Sequence, residues 1–133
     1  QHDSNGRTIA AWLEQRLGSD RVFYAGLASH PQHALLRAQM SGASGLLAFG
    51  VKGGLSAGVR FIEAAQLMSH LVNIGDTRTL ISHPASTTHR QLDEAQQIAA
   101  GVHPDMVRIS VGLEHIDDIL WDIDQALSAA NTA

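Results

Sequence analysis

The sequence contains no cysteine, only one lysine, and few aromatic side chains. Without cysteine the chain can form no disulfide, no thiolate metal site and no cysteine nucleophile. Its apolar runs fall well short of the roughly 20 residues that cross a bilayer, and its first residues, QHDSNGRTIAAW, lack the basic start of a signal peptide. A formal net charge of -4 also argues against nucleic acid as a partner. We therefore expect a cytoplasmic globular protein.

The composition and the apolar spacing indicate a single folded domain. Apolar residues make up 44% of the 133 residues and charged residues 17%, which is typical of a chain with a core. We expect one domain, 1–133, with helical and extended segments in alternation. The predicted helices are 7–17, 29–40, 55–71, 88–100 and 115–130. The predicted strands are 21–26, 45–51, 70–76, 78–83 and 106–114.

Residues 73–89, NIGDTRTLISHPASTTH, concentrate hydrogen-bonding side chains. Ordinary turn and capping chemistry is one explanation, and the edge of a binding site is the other. Thr88 and Gln91 form a T-x-x-Q pattern, which predicts a capping box at the start of the fourth helix. Ser56 is a candidate cap for the third helix.

The strand MVRISVGLE, residues 106–114, has two unlike faces. Alternation predicts that one set of aliphatic residues faces the core: Val107, Ile109, Val111 and Leu113. Arg108 lies on the other face, near the small residues Ser110 and Gly112. The ordinary interpretation is a solvated or ion-paired arginine, since charged side chains are mostly exposed. A guanidinium on a rigid strand between small residues would also suit a bidentate grip on a carboxylate.

Most catalytic motifs are missing. The chain has no G-x-S-x-G, no P-loop and no H-E-x-x-H pair, and the glycine-rich VKGGLS before a helix is only a weak phosphate signal. His30 and His33 lack a carboxylate companion in sequence, so we expect turn or surface roles and no metal site. In the last helix we expect the aspartates to form a solvated face: Asp117, Asp118, Asp122 and Asp124.

Two long segments carry a family resemblance: NIGDTRTLISHPASTTHRQL, and AGVHPDMVRISVGLEHIDDILWDIDQAL. They resemble the C-terminal domain of the pyridoxal-phosphate enzymes of cysteine and methionine metabolism, and most of all O-acetylhomoserine sulfhydrylases. GLASHPQHALLRAQM and GLLAFGVKGG extend the resemblance over nearly the whole chain. It implies an α+β fold, with a small, mostly antiparallel sheet covered by helices. It also implies a large cofactor-binding domain that this chain lacks.

The resemblance implies roles for several residues. Arg108 matches the family arginine that pairs with the substrate α-carboxylate, and Asn73 stands where many relatives carry a serine that helps hold the same group. Val72 and Thr88 would lie at the pocket, and Val72 replaces a glutamate that is frequent in cystathionine enzymes. Lys52, the only lysine, matches a structural KGG turn and not the Schiff-base lysine, so this chain alone should hold no covalent cofactor and be inactive.

The implied activity is that of a pyridoxal-phosphate-dependent transferase of methionine biosynthesis. O-acetylhomoserine and sulfide would give homocysteine and acetate in a cytoplasmic homotetramer. O-succinylhomoserine sulfhydrylase, methionine γ-lyase or another transsulfuration enzyme are alternatives within the family. A non-catalytic module that binds an amino acid or mediates association is an alternative outside it. The implied partners are the missing large domain, an amino-acid substrate and further copies of the chain.

Overall fold

The computed structural model describes residues 1–132. The described residues form five α-helices, two short 3-10 helices and five strands, and helices and strands alternate along most of the chain. The helices are α1 (His2–Leu17), α2 (His33–Gln39), α3 (Gly54–Ala64), α4 (Glu94–Ala99) and α5 (Ile116–Asn131). The strands are β1 (Val22–Phe23), β2 (Leu46–Gly50), β3 (Ser69–His70), β4 (Leu80–Ser82) and β5 (Met106–Ser110). None of the described helices is long and apolar enough to cross a membrane.

The strands form one sheet in the order β1-β2-β5-β4-β3. The pairs β1–β2, β2–β5 and β5–β4 are antiparallel, and β3 joins β4 in parallel. The predicted α+β fold with a mostly antiparallel sheet is therefore confirmed. Because β3 and β4 run in parallel, the two extended segments around Gly75 do not form the hairpin that a tight turn would have joined.

The hydrophobic core lies between one face of the sheet and helices α1, α3 and α5. Val107 and Ile109 of β5 are fully buried there, and Phe49 of β2 meets Phe61 of α3 edge-on with ring centroids 5.4 Å apart. Val107, Ile109 and Val111, the first three residues predicted to face the core, are buried as expected. Leu113 is 45% exposed, contrary to expectation, because β5 ends at Ser110 and the alternation ends with it.

The third helix is shorter than predicted. Leu67, Met68 and Leu71 continue the helical spacing, but α3 ends at Ala64. The backbone N–H groups of residues 66–68 donate to the carboxylate of Asp122, at 2.8–2.9 Å, and so form no helical bonds. Asp122 is therefore fully buried, and the prediction that it belongs to a solvated face was wrong.

Two predicted caps were also wrong. The capping box of α4 is formed by Asp93 and Gln96, whose side chains each accept from the other's backbone N–H, whereas the Thr88 hydroxyl hydrogen-bonds the imidazole of His89. The helix therefore starts at a D-x-x-Q pattern that lies five residues after the T-x-x-Q pattern. Helix α3 begins after Gly53, a left-handed residue with φ 112°, and Ser56 lies inside the helix.

Candidate functional site

Arg108 lies on the sheet face opposite the helical core. It occupies the middle of β5, paired with Ala48 on one side and Ser82 on the other. Its neighbours Val107 and Ile109 point into the core, so the guanidinium points to the opposite face. Arg108 forms no ion pair with any of residues 1–132. The ordinary interpretation of a salt-bridged arginine therefore does not hold within the described chain.

The guanidinium of Arg108 uses only part of its hydrogen-bonding capacity within the described residues. One terminal nitrogen, Nη2, donates to the backbone carbonyl of Val72. Its Nε is buried and has no hydrogen-bond partner among the described residues. A buried N–H without a hydrogen-bond partner costs free energy, so we expect Nε to have a partner outside the described residues. The Nε and Nη2 edge of a guanidinium is one of the two edges that can grip a carboxylate in bidentate fashion.

The segment that carries Asn73 runs beside Arg108 and is called the 71–79 loop below. Val72 and Asn73 are both exposed, and Val72 contacts Arg108 through its backbone carbonyl. Three residues later, Gly75 N–H donates to Ser110 Oγ at 3.1 Å. Asn73 is thus placed between two contacts to the arginine strand. Asn73 is exposed, and its side chain forms no hydrogen bond with the described residues.

A second cluster fixes the far end of the 71–79 loop, and the sequence reasoning missed it. The Glu114 carboxylate accepts from Thr79 N–H at 2.6 Å and from Thr79 Oγ1–H at 2.8 Å. Thr79 Oγ1 in turn accepts from Gly112 N–H at 3.0 Å. Glu114 lies two residues after the R-x-S-x-G pattern of residues 108–112, but a contact across 35 residues leaves no local signal.

Asp76 and Arg78 shape the turn between these two anchoring points. Asp76 Oδ1 accepts from Arg78 N–H at 2.9 Å, and the two side chains form an ion pair at 3.2 Å. The hydrogen bonds from Arg78 lower the pKa of the Asp76 carboxyl to about 2. The carboxyl is therefore ionised throughout the neutral range.

The remaining predicted pocket residue is not joined to this cluster. Thr88 is exposed, and its hydroxyl bonds His89 Nδ1 at 2.8 Å rather than Arg108. A cleft of about 310 Å³ opens beside the loop, lined by Leu46, Ile74, Gly75 and Ser110 among others. A larger cleft of about 790 Å³ lies between the start of α3 and α4, and none of the predicted site residues lines either cleft.

His83, the residue that follows β4, is a buried polar group. Its Nε2 donates to Pro104 O at 2.7 Å, and its Nδ1 accepts from the Ser86 hydroxyl at 2.8 Å. Burial lowers the pKa of the imidazole, against a smaller opposing effect of the Pro104 carbonyl. The ring packs against Gly58 of α3, where a Cβ would lie 2.3 Å from Nε2. His83 therefore has a structural explanation.

The family is established by comparison with known proteins. The model of the Cys/Met metabolism PLP-dependent enzymes matches residues 1–128, so the chain belongs to this family. The chain is 47% identical over 129 residues to O-acetyl-L-homoserine sulfhydrylase 1 of Thermus thermophilus, and 44% identical over 128 residues to O-succinylhomoserine sulfhydrylase of Pseudomonas aeruginosa. L-Methionine gamma-lyase of Pseudomonas putida is 44% identical over 130 residues. The family prediction is confirmed, and the particular activity is not resolved among these relatives.

The solved structures agree with this assignment. A crystal structure described as an O-acetylhomoserine (thiol)-lyase of Campylobacter jejuni, with N'-pyridoxyl-lysine-5'-monophosphate, superposes with a TM-score of 0.87 at 37% identity. The match covers 96% of this chain and 30% of that one. The curated relatives named above are likewise matched over 96–98% of this chain but only 31–33% of their own length. The chain thus spans about a third of the proteins that it resembles.

Lys52, the only lysine of the sequence, is the one side chain here that could form a Schiff base with an aldehyde cofactor. Lys52 is exposed on the turn between β2 and α3. It lies four residues beyond Ala48, the partner of Arg108, which is roughly 13 Å of extended chain. Residues 1–132 also hold no group of three or more side chains suited to a metal.

Proposed function

We propose that this chain is the substrate-carboxylate domain of a longer pyridoxal-phosphate-dependent O-acetylhomoserine sulfhydrylase. That enzyme would convert O-acetylhomoserine and sulfide to homocysteine and acetate. The observation that carries the proposal is the partly unpartnered guanidinium of Arg108 on a rigid central strand. The family membership and the 47% identity to a sulfhydrylase of Thermus thermophilus support it.

Arg108 and Asn73 would hold and orient the substrate. A charge-assisted pair between the guanidinium and the α-carboxylate would contribute roughly 1.5–3 kcal/mol, or about 10- to 150-fold in binding or orientation. Asn73 would offer an amide N–H to the same carboxylate from the exposed loop beside it. The carboxylate would then be held from the strand and from the loop at once, which fixes its direction as well as its position.

The electron-sink chemistry would belong to the part of the enzyme outside this chain. This division agrees with the position of Lys52 and with the third of the relatives' length that the chain covers. We place this chain at the carboxy-terminal side of the longer enzyme and the Schiff-base lysine before it. Phe23 and Leu46, which share the Arg108 face and are 39% and 38% exposed, suit a surface that the larger domain covers.

The full-length protein tests the assignment. The purified enzyme is assayed with O-acetylhomoserine plus sulfide, with O-succinylhomoserine plus sulfide, and with L-methionine alone. We expect the highest kcat/KM with O-acetylhomoserine, and a loss of at least about tenfold in that value for R108A with cofactor absorbance retained. A preference for one of the other substrates would move the assignment to that activity. Unchanged kinetics in R108A would remove the carboxylate role.

The coding sequence that surrounds this chain gives an independent test. We expect it to encode a larger domain upstream with a lysine suited to a Schiff base. If the chain proves complete, calorimetry with O-acetylhomoserine or methionine decides the alternative. Tight binding to the isolated chain would support an amino-acid-binding module in place of half of a split active site.

A further inference from the structure

Strand β5 and the turn after it hold the 71–79 loop at four successive points. The contacts advance in the same direction along both segments, so the two segments run side by side. The contacts are Arg108 Nη2 to Val72 O, Gly75 N to Ser110 Oγ, Leu113 N to Thr77 O, and Thr79 N and Oγ1 to Glu114. The loop that carries Asn73 is therefore positioned by polar contacts with the strand that carries Arg108.

Apolar packing does little to hold this loop. Residues 71–75 are all exposed, including Ile74 at 61% and Val72 at 47%. Burial begins only at Thr79, which is fully buried. Segments with few buried apolar contacts open at low free-energy cost, so their placement depends on the hydrogen bonds that remain.

Glu114 makes two of these contacts with a single carboxylate. Its carboxylate accepts both the N–H and the hydroxyl of Thr79, at 2.6 and 2.8 Å, and hydrogen bonds to a charged acceptor exceed neutral ones in strength. The approach is close because residue 112 is glycine. A Cβ there would lie 2.4 Å from Thr77 O and 2.5 Å from Glu114 Oε2.

We propose that Glu114 is a positioning residue for substrate binding. By holding Thr79 it fixes the register of the 71–79 loop against β5, and so sets where Asn73 lies relative to Arg108. Glu114 itself would touch neither substrate nor cofactor. This inference rests on the proposed function, because it assumes that Arg108 and Asn73 bind the substrate carboxylate. The inference adds that Glu114, in the turn after β5, sets the position of Asn73 relative to Arg108.

The test compares variants of the full-length enzyme with O-acetylhomoserine and sulfide. E114A removes both acceptors and should raise KM for O-acetylhomoserine about tenfold, with kcat changed less than about threefold. E114Q can still accept from Thr79 N–H and donate to Thr79 Oγ1, and should restore most of the lost affinity. E63A, which removes an exposed carboxylate on α3, is the matched control and should leave both parameters unchanged.

The outcomes separate this inference from the proposed function. If R108A raises KM while E114A alters only kcat or thermal stability, the positioning role is wrong and the carboxylate site stands. If neither R108A nor E114A raises KM, both are wrong. If E114A does not fold, T79V decides, since it removes the hydroxyl that donates to Glu114 and accepts from Gly112 N–H but keeps the Thr79 N–H bond to Glu114. A rise in KM for T79V supports the inference, and an unchanged KM overturns it.

Discussion

The carboxylate of Asp122 should be among the largest single contributions to the stability of this fold. It is fully buried, and each oxygen accepts two hydrogen bonds. Oδ1 accepts from Gln66 N–H and from the Gln125 side chain, both at 2.8 Å, and Oδ2 accepts from Leu67 N–H and Met68 N–H, both at 2.9 Å. D122A would leave all four donors without this acceptor.

The expected cost follows from which donors can reach water. Met68 N–H is buried and should incur the full penalty of a lost charged hydrogen bond, about 2–3 kcal/mol. Gln66 and Leu67 are exposed residues whose N–H groups can be partly rehydrated, so each adds about 0.5–1 kcal/mol. We therefore expect D122A to lower the free energy of unfolding by about 4 kcal/mol, a large part of the roughly 5–15 kcal/mol of a typical domain.

Urea denaturation of the 133-residue chain, followed by circular dichroism, measures this loss. With an m-value of about 1.5–2 kcal/mol/M, the midpoint should fall by roughly 2–3 M. D118A, one turn earlier on α5 and exposed, is the matched control and should cost less than about 1 kcal/mol. A loss below about 1 kcal/mol for D122A would refute the reasoning, because the four hydrogen bonds would then be replaceable by water.

Three further predictions concern close packing and protonation. G58A should lower the free energy of unfolding by about 1–3 kcal/mol in urea titration, because the added Cβ would overlap the His83 ring. This loss should outweigh the better helix propensity of alanine. S56A, on the same helix, should change the free energy of unfolding by less than about 0.5 kcal/mol. The pKa of His83 is lowered by burial, so its contribution to stability should be complete above about pH 6.5 and lost as pH falls through the folded-state pKa; NMR titration that finds an ordinary pKa would contradict this. G112A should raise KM in the full-length enzyme, because a Cβ would lie 2.4 Å from Thr77 O and displace the 71–79 loop; an unchanged KM would show that the loop adapts.

Much of the fold is predictable from local patterns. The period-2 alternation of β5 correctly separates Val107 and Ile109 from Arg108, and α4 ends at Ala99, within one residue of the predicted end. Helix α1 begins at His2, five residues earlier than predicted. The low helix propensity of the stretch HDSNG explains why the sequence predicts the later start. Asn5 in that stretch is anchored by Gly112 O and Glu114 O, more than 100 residues away.

Several of the errors have a common physical cause, which is a partner distant in sequence. The spacing of Leu67 and Met68 is helical, yet Asp122 takes their N–H groups from 54–55 residues away and holds the chain outside the helix. In the candidate site too, some residues can be found from local pattern and others only from a distant contact. Arg108 could be identified from its strand and its neighbours, whereas Glu114 becomes visible only when Thr79 is placed against it.

The most direct test of the central claim is a kinetic cycle on Arg108 and the substrate carboxylate in the full-length enzyme. Wild type and R108A are compared with O-acetylhomoserine and with its α-carboxamide, and R37A, an exposed arginine on α2, serves as the control. If the guanidinium binds the carboxylate, R108A should lower kcat/KM for O-acetylhomoserine by about 10- to 150-fold and change it little for the carboxamide. Equal losses with both substrates would contradict the account.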